Sequence, residues 1–172
     1  MSVAMTKYIY DYPMQSVTAD ILVVLPNTEI ENSLILLIER KNEPYKGKFC
    51  LPGGFLEQNE FLIECASREL YEETSININV GRLRLITILD NPNRDPRGRV
   101  IANVFEVNIT EEEYNQAKAN DDAASIKWVK LSDILSGKVK LGFDHKIAIE
   151  KLIDLMICNQ GNIDMYKQMF IM

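Results

Sequence analysis

The sequence predicts an α/β fold in which a mixed β-sheet is packed between helices. Three observations carry that reading. Strand-like apolar segments stand on both sides of one amphipathic helix, and a second strong helix follows later in the chain. The composition, 47% hydrophobic and 26% charged over 172 residues, is that of one ordinary compact domain, so residues 1–172 are read as a single unit.

Residues 17–25 read as a buried strand closed by the turn-like Pro26-Asn27-Thr28, and 34–39, rich in Ile and Leu, as a second strand. Together they suggest a hairpin across a long loop. The polar stretch 40–48 holds Pro44 and Gly47 and reads as a loop, and Phe49-Cys50-Leu51 as a strand end running into Pro52-Gly53-Gly54. Over 60–74 the period becomes helical, because Phe61, Leu62, Cys65, Ala66 and Leu70 recur at spacings of three and four; Asn59 is the expected cap. Residues 82–89 and 100–107 are strand-like, joined by the loop 90–99. Thr110 opens a short helix over 110–119 with a capping box to Glu113. A short strand at 126–129 and a helical turn at 131–135, started by Ser132, precede the last helix, expected over 144–158. Beyond Gly161 the helical signal is weak, and this tail is expected to fray or to dock on a second subunit.

Charge and cysteine usage narrow the function classes. The net charge is −6 and the pI about 4.9, whereas a nucleic-acid binder carries a basic patch and a high pI, so nucleic acid is not an expected partner. The longest apolar runs, such as 21–25 and 34–38, are far too short to span a bilayer, and the N-terminal segment, which carries Asp11, has no leader-like apolar stretch. Cys50, Cys65 and Cys158 form no CxxC pair and read as reduced, mostly buried thiols, the pattern of a cytoplasmic protein.

The residues that carry chemistry lie on the helix 60–74. Glu69, Glu72 and Glu73 are three and four residues apart and project from nearly one face. Left bare, such like charges repel; a hard divalent cation such as Mg²⁺ or Mn²⁺ removes the repulsion, because it seeks carboxylate oxygens. Arg68 is placed to pair with a neighbouring carboxylate. An ordinary solvated acidic face is the competing reading, but Gly53-Gly54 just before the helix lets backbone approach a ligand closely, so that a carbonyl can join the coordination.

The full spacing is Gly54, five residues, Glu60, seven residues, Arg68-Glu69-Leu70, one residue, Glu72-Glu73, two residues, Ile76. It resembles the Nudix box, the signature of Nudix hydrolases. One position departs: the family has glycine where this chain has Ser75, at the helix end, where glycine eases a positive φ. The expected cost is a little stability, not activity. The resemblance implies an α/β/α sandwich with a mixed sheet and the hydrolysis of a nucleoside diphosphate linked to another moiety. It also implies a metal site formed by Glu69 and Glu73, with Glu72 as ligand or close support, Gly53 or Gly54 adding a carbonyl, and Glu60 and Arg68 orienting the ligands. Metal ions would screen the diphosphate and lower the pKa of the attacking water.

Outside the box, the segment 40–48, the run Asn91-Pro92-Asn93-Arg94-Asp95-Pro96-Arg97-Gly98-Arg99, Asp121-Asp122-Ala123-Ala124 before Trp128, and Leu141-Gly142-Phe143-Asp144-His145 are similar to the group that holds ADP-ribose pyrophosphatases and Nudix domains tied to NAD metabolism. Pro92, sixteen residues past Ile76, has the spacing of that group. ADP-ribose is therefore the expected substrate, with Arg40, Lys48, Arg94, Arg97 and Arg99 as its contacts, since guanidinium forks suit phosphate oxygens and stack on adenine. Asp122 is the expected base or extra ligand. His145, the only histidine, reads as a capping or packing residue, and Trp128 as core. The resemblance also implies a homodimer, for which 8–13 and 165–172 are apolar enough. Two other readings stay open: a hydrolase of another dinucleotide, ADP-sugar or nucleoside triphosphate, and an ADP-ribose-sensing regulator. Such regulators carry a winged-helix domain after this segment, and the 14 residues past 158 are too few for one.

Overall fold

The computed structural model describes residues 11–120 and 123–170, with the side chains of the last helix described as far as Cys158. Strand β1 (Ser16–Leu25) lies at the centre of the sheet and is apolar on both faces. Helix α1 (Leu62–Thr74) packs on one face, through Cys65, Ala66 and Leu70 against Ala19, Ile21 and Val23. On the other face Leu22 and Val24 meet Leu131 and Ile134 of α3 (Leu131–Leu135) and Ala148, Ile149 and Leu152 of α4 (His145–Phe170). Side chains alternate along a strand, so a run buried on both faces needs a helical layer on each side. The expected α/β/α sandwich follows.

Among the described residues seven strands form one mixed sheet. One edge of β1 runs parallel to β6 (Val100–Asn108) over its whole length, and β5 (Arg84–Leu89) pairs antiparallel on the far side of β6. The other edge is shared. β2 (Leu34–Arg40) pairs antiparallel with β1 only at Val24 and Leu25, as the expected hairpin; further along, β1 takes β4 (Gly53–Phe55) and β2 takes β3 (Phe49–Cys50). β7 (Ala123–Lys130) covers the remaining edge of β2. The sheet therefore splits between β1 and β2. Leu51 and Pro52 cross the split, held where the Ile21 N–H donates to the Pro52 carbonyl at 2.8 Å.

Several local expectations are corrected. α1 begins at Leu62 rather than 60, and its cap is Phe61, whose N–H is accepted by Glu64 Oε2 at 3.0 Å, not Asn59; the Glu60 carboxylate is drawn instead to Arg68. α3 starts one residue before Ser132, from Lys130. β7 is longer than 126–129 because its first half, from Ala123, still pairs with β2 and Ser125 donates to Glu39 at 2.7 Å. α4 does not stop at 158 but continues through Gly161 to Phe170. Strand β4 and two short 3-10 turns (Ile30–Asn32, Val80–Arg82) were not foreseen. α2 (Glu111–Gln116) carries the expected capping box, and Trp128 packs on Tyr114 at 4.9 Å. Cys50 and Cys65 are buried and Cys158 is exposed, all free. Among the described residues no helix is long and apolar enough to cross a membrane.

Candidate active site

The split in the sheet opens as a cleft of about 320 Å³, with Thr18 and Asp20 of β1 on one side and Ile38 and Arg40 of β2 on the other. Its floor is the turn from Leu51 to Gly54. Gly53 has φ 150°, and a Cβ there would stand 2.5 Å from the Ala19 carbonyl oxygen, so only glycine lets β4 lie this close to β1. A Cβ on Gly54 would overlap the Glu69 carboxylate. The double glycine thus brings backbone directly against the acidic helix.

One wall of the cleft is acidic. Glu73 is buried, and its Oε2 accepts the Gly53 N–H at 2.9 Å. Burial raises its pKa to about 8, with the charges of Glu69 and Asp20 adding to the effect. Burial also raises that of Glu69, against the pull of Arg68. Arg68 is the hub beneath: Nε and Nη2 form a fork on Glu60 at 2.7 and 2.9 Å, and Nη1 donates to Glu69 at 2.7 Å and to Glu72 at 3.0 Å. These bonds hold the Glu60 carboxyl below its usual range and push the Arg68 value up. Glu72 stands at the rim, its side chain 44% exposed. Beside Arg68, burial pushes the Cys65 thiol up to about 12, so it stays protonated and points its sulfur at the Phe55 carbonyl, 3.5 Å away. Ser75 ends α1 at φ 59°, the left-handed geometry in which glycine is less strained.

The opposite wall is cationic and aromatic. Phe143 (φ 52°) stands at its centre, 4.6 Å from the Tyr45 ring and 5.3 Å from His145, with the guanidinium carbons of Arg40, Arg97 and Arg94 at 5.2, 5.8 and 5.9 Å from its ring centroid. Arg40 is steered by the Pro44 carbonyl, which accepts its Nε–H at 2.7 Å. Arg97 is tied to buried Asp95 by Nε and Nη2 and lies over Phe55 at 5.0 Å. That pairing outweighs burial and keeps the Asp95 carboxyl low. Arg94 is buried, its Nε donating to Asp144 Oδ1 at 3.0 Å; its Nη2 lies 2.8 Å from the same oxygen, a charge contact too bent to be a hydrogen bond, and 3.9 Å from Asp20.

His145 is the first residue of α4, fully packed in the cleft wall. Its Nδ1 accepts the Leu51 N–H at 3.0 Å, and its Nε2 faces Asp20 Oδ2 at 3.4 Å. Burial disfavours the imidazolium and the Asp20 carboxylate favours it. The Leu51 N–H occupies the Nδ1 lone pair, so in this hydrogen-bonded geometry the ring carries its proton on Nε2.

Of the residues singled out in the sequence, Gly53, Gly54, Glu69, Glu73, Arg40, Arg94 and Arg97 line this cleft. Arg68 and Glu72 sit behind and beside it. Lys48 is exposed on the loop before β3, and Arg99 donates to the Asp90 carbonyl instead; neither lines the cleft. Asp121 and Asp122 fall outside the described residues. Sequence reading missed Asp20, Phe143, Phe55 and Asp95. Asp20 carried a signal: it is an acid in the middle of an otherwise buried strand.

Among the described residues no three acidic, histidine or cysteine side chains converge into a ready-made metal cage. The donor set nevertheless suits Mg²⁺ or Mn²⁺. Two desolvated carboxylates, Glu69 and Glu73, adjoin backbone at Gly53 and Gly54, and a small hard cation is commonly held by one or two carboxylates, with water and substrate phosphate completing the shell.

The NUDIX domain family model matches residues 14–152. The chain is 41% identical over 120 residues to an ADP-ribose pyrophosphatase of Methanocaldococcus jannaschii, which covers 70% of this chain and 66% of that protein. It is 35% identical over 143 residues to the ADPR responsive transcriptional repressor NtrR of Acinetobacter baylyi, which covers 82% of this chain and 54% of that one. The chain thus spans 54–66% of the length of these two curated relatives. The NUDIX domain of Shewanella oneidensis NrtR, solved in complex with ADP ribose, has a TM-score of 0.73 and 25% identity, covering 86% of this chain and 94% of that one.

Proposed function

The chain belongs to the NUDIX domain family, and from that premise we propose that it hydrolyses the diphosphate bond of ADP-ribose, giving AMP and ribose 5-phosphate, with Mg²⁺ or Mn²⁺ as cofactor. The observation that carries the proposal is the two-walled cleft: desolvated carboxylates on one side and arginines around an aromatic ring on the other. A diphosphate flanked by two ribose-bearing groups has the matching chemistry. The likeness to a named ADP-ribose pyrophosphatase and to a domain solved with ADP ribose supports the choice of substrate.

In this reading Glu69 and Glu73, with a carbonyl of Gly53 or Gly54, hold the cation, and Glu72 supports it from the rim. The metal would screen the diphosphate charge and lower the pKa of the attacking water. Arg68 keeps Glu60, Glu69 and Glu72 in fixed positions, so the acidic wall does not spread under its own repulsion. Arg40 and Arg97 are offered to the diphosphate, and the rings of Phe143 and Phe55, over which they lie, give the cleft an aromatic side for a base. Arg94 belongs to the wall itself, because it is buried and its Nε donates to both oxygens of Asp144. Asp122 is kept as the candidate base, and a homodimer in the cytoplasm as the working state.

A product panel tests this directly. With Mg²⁺ or Mn²⁺, ADP-ribose should yield AMP and ribose 5-phosphate well ahead of NADH and oxidised dGTP. If one of those other nucleotides is cut faster, the fold works on a different diphosphate. If none is cut, the second reading takes over: an ADP-ribose-sensing domain, favoured by the likeness to the NtrR repressor.

A further inference from the structure

The segment 141–145 is a strap tied to the cleft floor at successive residues. Leu141 forms a bridge to Phe49, and the Gly142 N–H donates to the Phe49 carbonyl at 2.8 Å. A Cβ on Gly142 would stand 2.7 Å from Cys50 Sγ, so glycine is needed for this approach. Phe143 is held in the left-handed region, at φ 52°, a conformation that persists in a bulky residue only when its surroundings fix it. Asp144 accepts the Arg94 Nε–H, and His145 ends the strap, its Nδ1 accepting the Leu51 N–H and its Nε2 directed at Asp20.

Those two contacts of His145 lie on either side of the split in the sheet. Leu51 starts the turn that crosses it, and Asp20 lies opposite Gly53 in the β1–β4 ladder. Gly53 in turn donates to Glu73, and Gly54 is packed against Glu69. We infer that His145 is a positioning residue for the acidic wall: by accepting the Leu51 N–H, with Nε2 facing Asp20 at 3.4 Å, it fixes the turn 51–54, and through Gly53 and Gly54 it sets Glu73 and Glu69. The consequence for metal binding rests on the reading in which Glu69 and Glu73 hold the cation; the effect on the turn does not.

Three variants separate the parts. The side-chain oxygen of His145→Asn stands where Nδ1 stands and keeps an acceptor for Leu51, His145→Gln keeps only a donor toward Asp20, and His145→Ala keeps neither. Binding of Mn²⁺ alone, followed by electron paramagnetic resonance, should weaken about tenfold in the Ala and Gln variants and stay within about threefold in Asn, the scale expected when an indirect support of metal ligands is lost. Hydrogen exchange at the Leu51 and Gly53 amides should accelerate in the same two variants and not in Asn. If the Ala variant fails to fold, the Asn–Gln pair decides. Mn²⁺ affinity within twofold of wild type in folded Ala or Gln variants, an Asn variant as weak as Gln, or Gly53 exchange that does not change would overturn the inference. Wild-type protein that binds no Mn²⁺ would instead sink the metal reading, while the exchange data would still decide the role of His145.

Discussion

Along the acidic wall of the cleft, Glu69, Glu73 and Arg68, which pairs with Glu69, come from less than two turns of one helix; along the cationic wall, Arg40, Arg94, Arg97, Phe143 and His145 come from three separate stretches of chain. The walls also lean in opposite electrostatic directions. Burial pushes Glu73 and Glu69 toward the neutral form, whereas Asp95, equally hidden, is held ionised by Arg97. The difference shows how each wall is satisfied. The cationic wall is neutralised internally, with Arg94 on Asp144 and Arg97 on Asp95. The acidic wall is paired from behind, by one arginine shared among Glu60, Glu69 and Glu72, and toward the cleft the charge of Arg40 does not offset the burial of Glu73.

That contrast can be broken most sharply at Glu73. Glu73→Gln keeps an acceptor for the Gly53 N–H but removes the charge; turnover of ADP-ribose should fall about a thousandfold, equivalent to about 4 kcal/mol, with an unchanged circular-dichroism spectrum. Near-normal turnover would remove Glu73 from the site. On the other wall Arg94→Gln should act on stability: it leaves Asp144 and Asp20 without their buried cation and should cost about 3 kcal/mol in urea unfolding. A loss below about 1 kcal/mol, the range of exposed pairs, would make Arg94 a free contact rather than part of the wall.

The opposite titration of the walls gives a pH test on metal-free protein. Glu73 has a folded value of about 8 against an ordinary 4.5, so between those pH values the folded state keeps a proton that the unfolded chain has released, and raising pH through that window destabilises the fold. Asp95 is shifted below its ordinary 3.8, so its contribution is present above that value and is lost as pH falls through the folded one. Thermal melts in chelator should therefore decline on both sides. Glu73→Gln should remove on the order of 2 kcal/mol of the decline between pH 5 and 8, and Asp95→Asn should flatten the acid side. An alkaline decline that survives in the Glu73 variant would place its cause elsewhere.

A smaller effect is expected at Arg97, one of the three arginines around Phe143. Arg97→Gln should raise the KM for ADP-ribose about tenfold, or about 1.4 kcal/mol, while kcat changes little, since Arg97 is part exposed beside the cleft. A fall in kcat with KM unchanged would mean that it acts on the reacting atoms instead. The smallest change lies at the end of the acidic helix. Ser75→Gly relieves a left-handed serine at a cost in unfolded-chain entropy and should stabilise the fold by about 0.5 kcal/mol, with activity within twofold. A loss of stability would show that Ser75 makes a contact worth more than its strain.

The two walls also differ in how far they could be read from the sequence. Helical period places Glu69, Glu72 and Glu73 on one face from spacing alone, and Gly53-Gly54 announces a close approach of backbone. The arginines of 94–99 were visible as a cluster, but their partners were not. Asp95 is a near neighbour of Arg97, whereas Asp144 is fifty residues from Arg94, and no local pattern says which guanidinium faces the cleft and which is already taken. Lys48 and Arg99 looked equivalent to Arg40 and Arg97 because composition does not record where a loop turns. The helix ends moved for a similar reason: Glu60 went to Arg68 instead of into the first turn, and α4 ran on through Gly161 despite its low propensity.

By itself the sequence determined the layers and the placing of Glu69, Glu72 and Glu73 on one helix, because both depend on periodicities of two and 3.6 residues, which are local. It also determined the weak point at Ser75, since a helix end that needs a left-handed residue is a local demand. The tertiary structure alone decided that β1 and β2 part after two residue pairs, that Asp20 faces the resulting gap, and that His145 spans it. Those facts depend on which strands share an edge and on which buried charges find each other across the fold, and such pairings are settled by packing and desolvation over the whole core rather than by neighbours in the chain.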